Sequence, residues 1–401
     1  MPSAHPRLRD DIDASPLRHQ GQDLYVLFDQ AAFSPARLAA SPLVLWVMAR
    51  LDGTVSVLDL YDRLLAESNP DASAPSLADL MAVVDALDQA LFLEGPRFDD
   101  FYDQLQRDFL ASSERQATSA GAVYPDDPAE LAASLNRILA NAPPDETPAA
   151  PSGIAPYAAI APHIDYARGG AGYGQLYRHM AKCRPPESVV VLGVAHRSLN
   201  ASISLCDKDF AIPGDHVLCD RARVSQLAAL GKKHGQNWHE DAFAHRMEHS
   251  IELQAVWIHH VWQYAKIIPI LVDCPDDDTI RSLAELFADW MTVPGGVMLV
   301  ASVDLAHLGP RFGDERAVSD PFLGEVEVFD RARLSEWASG LSKTACEAVR
   351  DNENKYHWCG MGALSVLSRC LGERSGSLLG YHQAATPELE QAVSFASMIY
   401  A

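Results

Sequence analysis

The sequence is short of positive charge, of long apolar runs and of paired cysteines, and each shortage removes a class of protein. Lysine and arginine number 32 against 54 aspartates and glutamates, a net charge of −22 at pH 7. So acidic a chain repels phosphate backbones and anionic lipid, and neither nucleic acid nor a membrane surface is expected as its partner. No stretch reaches the roughly 20 apolar residues of a membrane span. Met1–Gln20 is charged and broken by proline where a secretion signal would be apolar. The seven cysteines are odd in number, scattered and without a C-x-x-C pair. A disulfide framework is thereby excluded, and a reduced, cytoplasmic protein with room for one chemically active thiol is implied. No Gly-Lys-Ser/Thr follows Gly170-Ala171-Gly172-Tyr173-Gly174. The spacing fits neither a P-loop nor the dinucleotide fingerprint, so the stretch reads as a flexible turn.

What the chain does have is length: 401 residues predict two domains rather than one. Residues 1–110 read as a small helical unit. Pro42–Leu51 is apolar and stops at Leu51-Asp52-Gly53, Val57–Glu67 is amphipathic, and Ser76-Leu77-Ala78-Asp79 is a capping box. The helix it opens carries Leu80, Val84, Leu87 and Leu91 on one face, and Phe98–Leu110 follows as an aromatic-faced linker helix. Three short helices closing on Phe92-Leu93-Glu94 resemble a winged-helix unit, and specifically the PqqD-like peptide-carrier domains; a plain helical extension is the alternative. A DNA-reading role is disfavoured, because a recognition helix needs basic residues and this segment is rich in aspartate.

Residues 111–401 alternate apolar strands with helices, which predicts an α/β domain with a largely parallel sheet covered by helices. Tyr157–Ala161, Ser188–Val194, Lys266–Val272 and Gly296–Ser302 are the buried strands; Leu378–His382 and Ala392–Tyr400 close the chain. Open α/β sheets bind ligands outside the carboxyl ends of their strands. Three strands release imidazole or carboxylate there: His163 after the first, His196 after the second, and Asp304 and His307 after Gly296–Ser302. Two imidazoles converging on a sheet rim suit a transition metal. The alternative is that each ring bonds a loop carbonyl and closes the sheet edge. Cys359, in Tyr356-His357-Trp358-Cys359-Gly360-Met361-Gly362, stands at the start of an apolar helix, whose dipole favours a thiolate able to act as ligand or nucleophile.

Most of the 15 histidines are expected to be bland. His5, His19, His234 and His239 sit in polar surroundings, and His259 and His260 in an amphipathic helix. His245-Arg246-Met247-Glu248-His249 matches the H-x-x-E-H zinc motif, which needs both histidines on one helical face. Here the helical period starts after Ser250, a candidate N-cap, so the motif straddles a loop.

Taken in order, these segments resemble the MEMO family, called protein B of the AmmeMemoRadiSam system in microbes. The resemblance runs from about Arg115 to Ala401. It rests on Ala120-Gly121-Ala122-Val123-Tyr124-Pro125, Ile160-Ala161-Pro162-His163, Leu192-Gly193-Val194-Ala195-His196, Glu248-His249-Ser250-Ile251-Glu252, Ser302-Val303-Asp304-Leu305-Ala306-His307 and Cys359-Gly360. It implies a fold similar to the class III extradiol dioxygenases, which hold non-haem iron with two histidines and a glutamate. By that similarity His163, His196 and Cys359 are the metal residues, with His249, Asp304 and His307 around them. The implied activity is that of a metal-dependent oxidoreductase acting with dioxygen on a small-molecule or peptide substrate. Its metal would be copper or iron, with zinc also admissible. His249 or His307 would move a proton while Asp304 orients a histidine. The thiolate departs from the dioxygenase pattern, as do Val123 in place of tryptophan and Ser119 near the usual histidine. Two rivals follow. One is a non-enzymatic metal- or peptide-binding adaptor or carrier working with a radical-SAM partner. The other is a zinc peptidase using Glu248.

Overall fold

The computed structural model describes residues 4–19, 22–31, 33–67, 75–147, 153–293, 295–386 and 390–401. The chain divides into two compact units, Met1–Ala111 and Ser112–Ala401.

In the first unit the three short helices are present as Pro42–Met48, Val57–Glu67 and Leu77–Gln89. The Ser76–Asp79 capping box is formed in both directions. A further helix spans Pro96–Ala111. The unit is not helical throughout. Ile12–His19, Gln22–Asp29 and Arg37–Ala40 form an antiparallel three-stranded sheet, and Arg7–Leu8 pairs with Leu93–Glu94. The helical pattern hid these strands because Leu24–Phe28 is apolar without alternation. Leu27 shares a core with Val47, Leu60, Leu80, Val84, Leu87 and Phe92.

The second unit is a helix-covered mixed sheet. Its centre is four parallel strands in the order Ala158–Ala161, Val297–Ser302, Ser188–Val194, Lys266–Val272. Antiparallel strands finish both edges: Ile203–Leu205 beside Lys266–Val272, and Gln391–Tyr400 beside Ala158–Ala161, with Ser377–Thr386 and His307–Leu308 paired to Gln391–Tyr400. The central strands are buried on both faces, as continuous apolar runs require. Alternate residues Val190, Leu192, Ile268, Ile270, Leu299 and Ala301 join one core with Leu283, Phe287, Ala363 and Leu367 from two helices. Helices Tyr166–Met180 and His249–Val261 pack together through Tyr173 and Tyr177, both stacked on Trp257.

One expected turn is helix instead. Gly170–Gly174 lies inside Tyr166–Met180, and its glycines serve close approach rather than flexibility. A Cβ on Gly174 would stand 2.8 Å from the Ile138 carbonyl oxygen, and one on Gly172 3.1 Å from Ser397 Oγ. Among the described residues no helix is long and apolar enough to cross a membrane.

Candidate metal centre

Register decides where the candidate side chains emerge. Ser302 pairs with Ala161, and Ala301 with Leu192, so three parallel strands end level with one another. Pro162-His163, Ala195-His196 and Val303-Asp304 therefore leave on the same rim.

A fourth element reaches that rim from above. His249 is the first residue of helix His249–Val261, and its N-cap is Glu248, whose carboxylate accepts from Ser250 N at 2.8 Å. Ser250, expected as the cap, lies inside the helix. Its hydroxyl oxygen accepts from Val194 N at 3.1 Å and so pins the helix start to the His196 strand. Gly193 permits this approach. A Cβ there would stand 2.6 Å from Ile251 Cγ1 and 2.7 Å from Ser250 Oγ.

Three imidazoles meet as a result. Ring centroids are 5.1 Å apart for His163–His196, 5.3 Å for His163–His249 and 4.8 Å for His196–His249. One nitrogen from each ring lies within 4.8 Å of the other two, so this group could hold a metal ion. On two of the rings the opposite nitrogen is held by an acceptor in the manner of metal-site histidines. His163 Nδ1 is 2.9 Å from the Ser302 carbonyl, to which it donates, leaving Nε2 as the lone-pair nitrogen. His196 Nδ1 stands 3.0 Å from each Glu248 oxygen, and His249 Nδ1 3.5 Å from Glu248 Oε1. One carboxylate thus faces two of the three rings.

Burial sets their charge. It pushes His163 down to about 3, with the neighbouring His196 adding to the effect, and His249 down to about 4. Both are therefore neutral imidazoles at pH 7, the form that binds metal. Burial opposes the charge of His196 too, but its bond to Glu248 outweighs this and raises it. Glu248 is held far below the usual carboxylate range: burial resists, and the His196 hydrogen bond and charge prevail.

The remaining candidates surround the group. Cys359 Sγ lies 3.5 Å from His163 Nε2, accepts from Asp304 N at 3.2 Å and donates to Asp304 O at 3.2 Å. The sulfur, expected as third ligand, touches one ring and is not in the three-residue group; His249 takes that place. The reason is the helix start, which brings His249 in beside His196. Cys359 precedes the N-cap Gly360 of helix Met361–Leu371. Gly360 adopts φ +70°, and a Cβ there would stand 2.4 Å from Val303 Cγ1, so only glycine lets the loop lie on the strand ends. Asp304 receives the amides of His163 and Ile164 at 2.9 and 3.2 Å, and its Oδ2 is 3.7 Å from His163 Nε2. Burial raises its pKa. His307 stands one step further along the rim, its Nδ1 3.2 Å from the carbonyls of Leu305 and His357, and burial lowers its pKa.

His245 is elsewhere. It sits in the short 3₁₀ turn Ala242–Arg246, with Nε2 3.2 Å from the Ser204 carbonyl, so the two histidines of the H-x-x-E-H string do not share a helical face. His259 Nε2 faces Asp215 at 3.4 Å and His260 Nε2 faces Asn136 at 3.1 Å, both outside the group. Glu248, weighed from the sequence only as a peptidase residue, here caps the helix and holds His196 Nδ1. Its signal was present in Glu248-His249-Ser250, an acidic N-cap directly before a histidine.

Fold and site together define a class: an α/β protein whose parallel strands and one helix start gather three imidazoles at a single rim. The chain belongs to the Memo-like protein family, whose family model matches residues 115–399. A MEMO1 family protein of Aquifex aeolicus is 25% identical over 385 residues, covering 94% of this chain and 96% of the relative. That likeness extends beyond residues 115–399 into the first unit. A MEMO1 family protein of Thermus thermophilus is 28% identical over 268 residues, covering 67% and 77%. Among solved structures, the uncharacterized protein JW3007 from Escherichia coli K12 is similar at TM-score 0.38 and 14% identity, covering 60% of this chain and 98% of that one.

Proposed function

We propose that the second unit is a transition-metal centre with His163, His196 and His249 as ligands, and that it works as an oxidoreductase related in design to the class III extradiol dioxygenases. The observation that carries this is the mutual approach of three ring nitrogens within 4.8 Å, two of whose rings have their other nitrogen held by an acceptor. An all-imidazole donor set suits copper, iron or zinc, and a redox-active ion would supply electron transfer with dioxygen. Around it the chain's own residues divide the work. Glu248 keeps the Nδ1 proton of His196 in place. Asp304 fixes the turn that carries His163. His307, half-buried at the rim, has an imidazole suited to moving a proton to or from a small-molecule or peptide substrate. Cys359 Sγ, 3.5 Å from His163 Nε2, would offer a sulfur donor beside that ring. Cys359 is accordingly an added donor on the His163 side, not the third member of the set.

The test is metal stoichiometry by elemental analysis after anaerobic loading with Fe(II) or Cu(I), followed by dioxygen uptake with a catechol. About one equivalent is expected in the wild type, loss in His196→Ala and His249→Ala, and retention at weaker affinity in Cys359→Ser. Unchanged stoichiometry in His249→Ala would sink the ligand assignment.

A second reading is a metal- or peptide-binding carrier acting with a radical-SAM partner, as protein B of the AmmeMemoRadiSam system. It is favoured by the Aquifex relative, matched across both units, which couples residues 1–110 to the metal unit. A metal-loaded protein that consumes no dioxygen, while its N-terminal unit is saturated by a peptide, would select it. The seven scattered, unpaired cysteines support a cytoplasmic location for either role.

A further inference from the structure

A buried, fully hydrogen-bonded charge pair joins the Arg115 segment, which contributes no residue to the three-imidazole group, to the helix that begins at His249. Arg115 and Glu252 are both fully buried at their side chains and bonded to each other. All five guanidinium N–H groups of Arg115 have acceptors. Nε donates to the His245 carbonyl at 3.0 Å; Nη1 donates to Gln116 O at 2.8 Å and to Glu252; Nη2 donates to Thr118 Oγ1 at 3.0 Å and to the Glu248 carbonyl at 2.9 Å. Glu252 is equally engaged. Its carboxylate accepts from Ser119 N at 2.9 Å, from Thr118 Oγ1 at 2.9 Å and from the Tyr124 hydroxyl.

Two of these contacts bear on the metal group. The Glu248 carbonyl belongs to the peptide that enters His249, and Glu252 stands one turn on in the same helix. One planar group therefore grips the chain before Glu248, at Glu248 and after His249. We infer that the Arg115–Glu252 pair, closed over by Thr118 and Tyr124, is a clamp that positions Glu248 and His249 and so sets the metal affinity of the site. The inference rests on the three-imidazole reading proposed above. Arg115 touches none of the three rings and is a positioning residue, not a catalytic one.

The guanidinium is needed for its shape as much as for its charge. Lysine would keep the charge, but as a point donor on a flexible stem it cannot reach both carbonyls and the carboxylate in fixed directions. A role confined to charge balance predicts that Arg115→Lys behaves as wild type. A clamp predicts that it does not. Outer-shell partners of metal ligands typically change affinity by about 10–100-fold.

The experiment is titration of the full-length protein with cobalt(II), followed by its visible d–d absorption, alongside thermal unfolding. The variants are Arg115→Lys, the milder Tyr124→Phe, and Leu227→Ala as a destabilised control in a helix that contributes no residue to the metal group. Expected are one tight site in the wild type, a 10–100-fold loss with an altered band in Arg115→Lys, a smaller loss in Tyr124→Phe, and wild-type affinity in Leu227→Ala despite a lower Tm. Wild-type affinity and band shape in Arg115→Lys overturn the clamp while leaving the metal reading intact. A wild type that takes up no cobalt overturns the metal reading itself.

Discussion

Glu248 does three jobs with one carboxylate. It caps a helix through Ser250 N, holds the Nδ1 of His196 and faces the Nδ1 of His249. Glutamine keeps the size and one acceptor but gives up the charge that raises His196 and fixes its tautomer. Glu248→Gln is therefore expected to fold, to lose about 10–100-fold in metal affinity, and to lose about 0.5–2 kcal/mol of stability from the weakened cap. Isothermal titration with zinc and chemical denaturation measure the two effects separately. An unaltered zinc affinity would show that His196 does not depend on this carboxylate. The same residue separates the peptidase reading from the metal-redox one. A peptidase needs Glu248 facing substrate water, whereas here both its oxygens face the rings and the helix start.

At the scale of elements, the site is a consequence of how closely a helix start can approach a strand end. Gly193 is the contact point, and a methyl group there has no room beside Ile251 and Ser250. Gly193→Ala should cost about 1–3 kcal/mol through overpacking and also displace His249 from His196, lowering metal affinity together with the urea midpoint. A stable Gly193→Ala protein with full metal affinity would contradict this account of the packing. Gly362 makes the corresponding approach for the Cys359 loop, where a Cβ would lie 1.9 Å from the Asp273 carbonyl oxygen. Of these elements the central strands were legible in the sequence, because unbroken apolar runs bounded by turns have one comfortable environment. The N-terminal strands were not, and the glycine-rich first half of helix Tyr166–Met180 read as a turn, with helix expected only from Gly172 onward. Local preference speaks against glycine in a helix, and only Phe395, Ser397 and Ile138 packed against its face decide the matter.

At the scale of the second unit, one buried acid ties distant parts together. Asp330, from helix Asp320–Ala338, accepts from Trp358 Nε1 at 2.8 Å, Tyr381 Oη at 3.0 Å and Ser394 Oγ at 2.6 Å. It thus joins the Cys359 loop to both closing strands. Burial raises its pKa from 3.8 to about 6, outweighing those three donors. Between these values the folded state holds a proton that the unfolded state has released. The stability it confers is therefore complete below about 4 and declines as pH rises to about 6. The difference in unfolding free energy between wild type and Asp330→Asn should fall from pH 4 to pH 7, while shared contributions cancel. A difference that stays flat across that range would mean Asp330 titrates normally.

The sequence by itself determined the α/β class, the parallel central strands, the rim where chemistry-bearing residues leave them, the Memo-like resemblance and the candidates His163, His196, His249, Asp304, His307 and Cys359. These follow from local chemistry: apolar runs, their punctuation, and residue types at strand ends. Tertiary structure alone decided which of them form one group. His249 joins His163 and His196 because Gly193 and Ser250 bring a helix start against a strand end, and Cys359 stays beside His163 because it bonds the amide and carbonyl of Asp304 while Gly360 packs its loop on Val303. Arg115 and Glu252, 137 positions apart, carry no mark in the sequence of being partners. Ligand geometry depends on distances between segments remote in the chain, and those distances are fixed by packing, which no local pattern encodes.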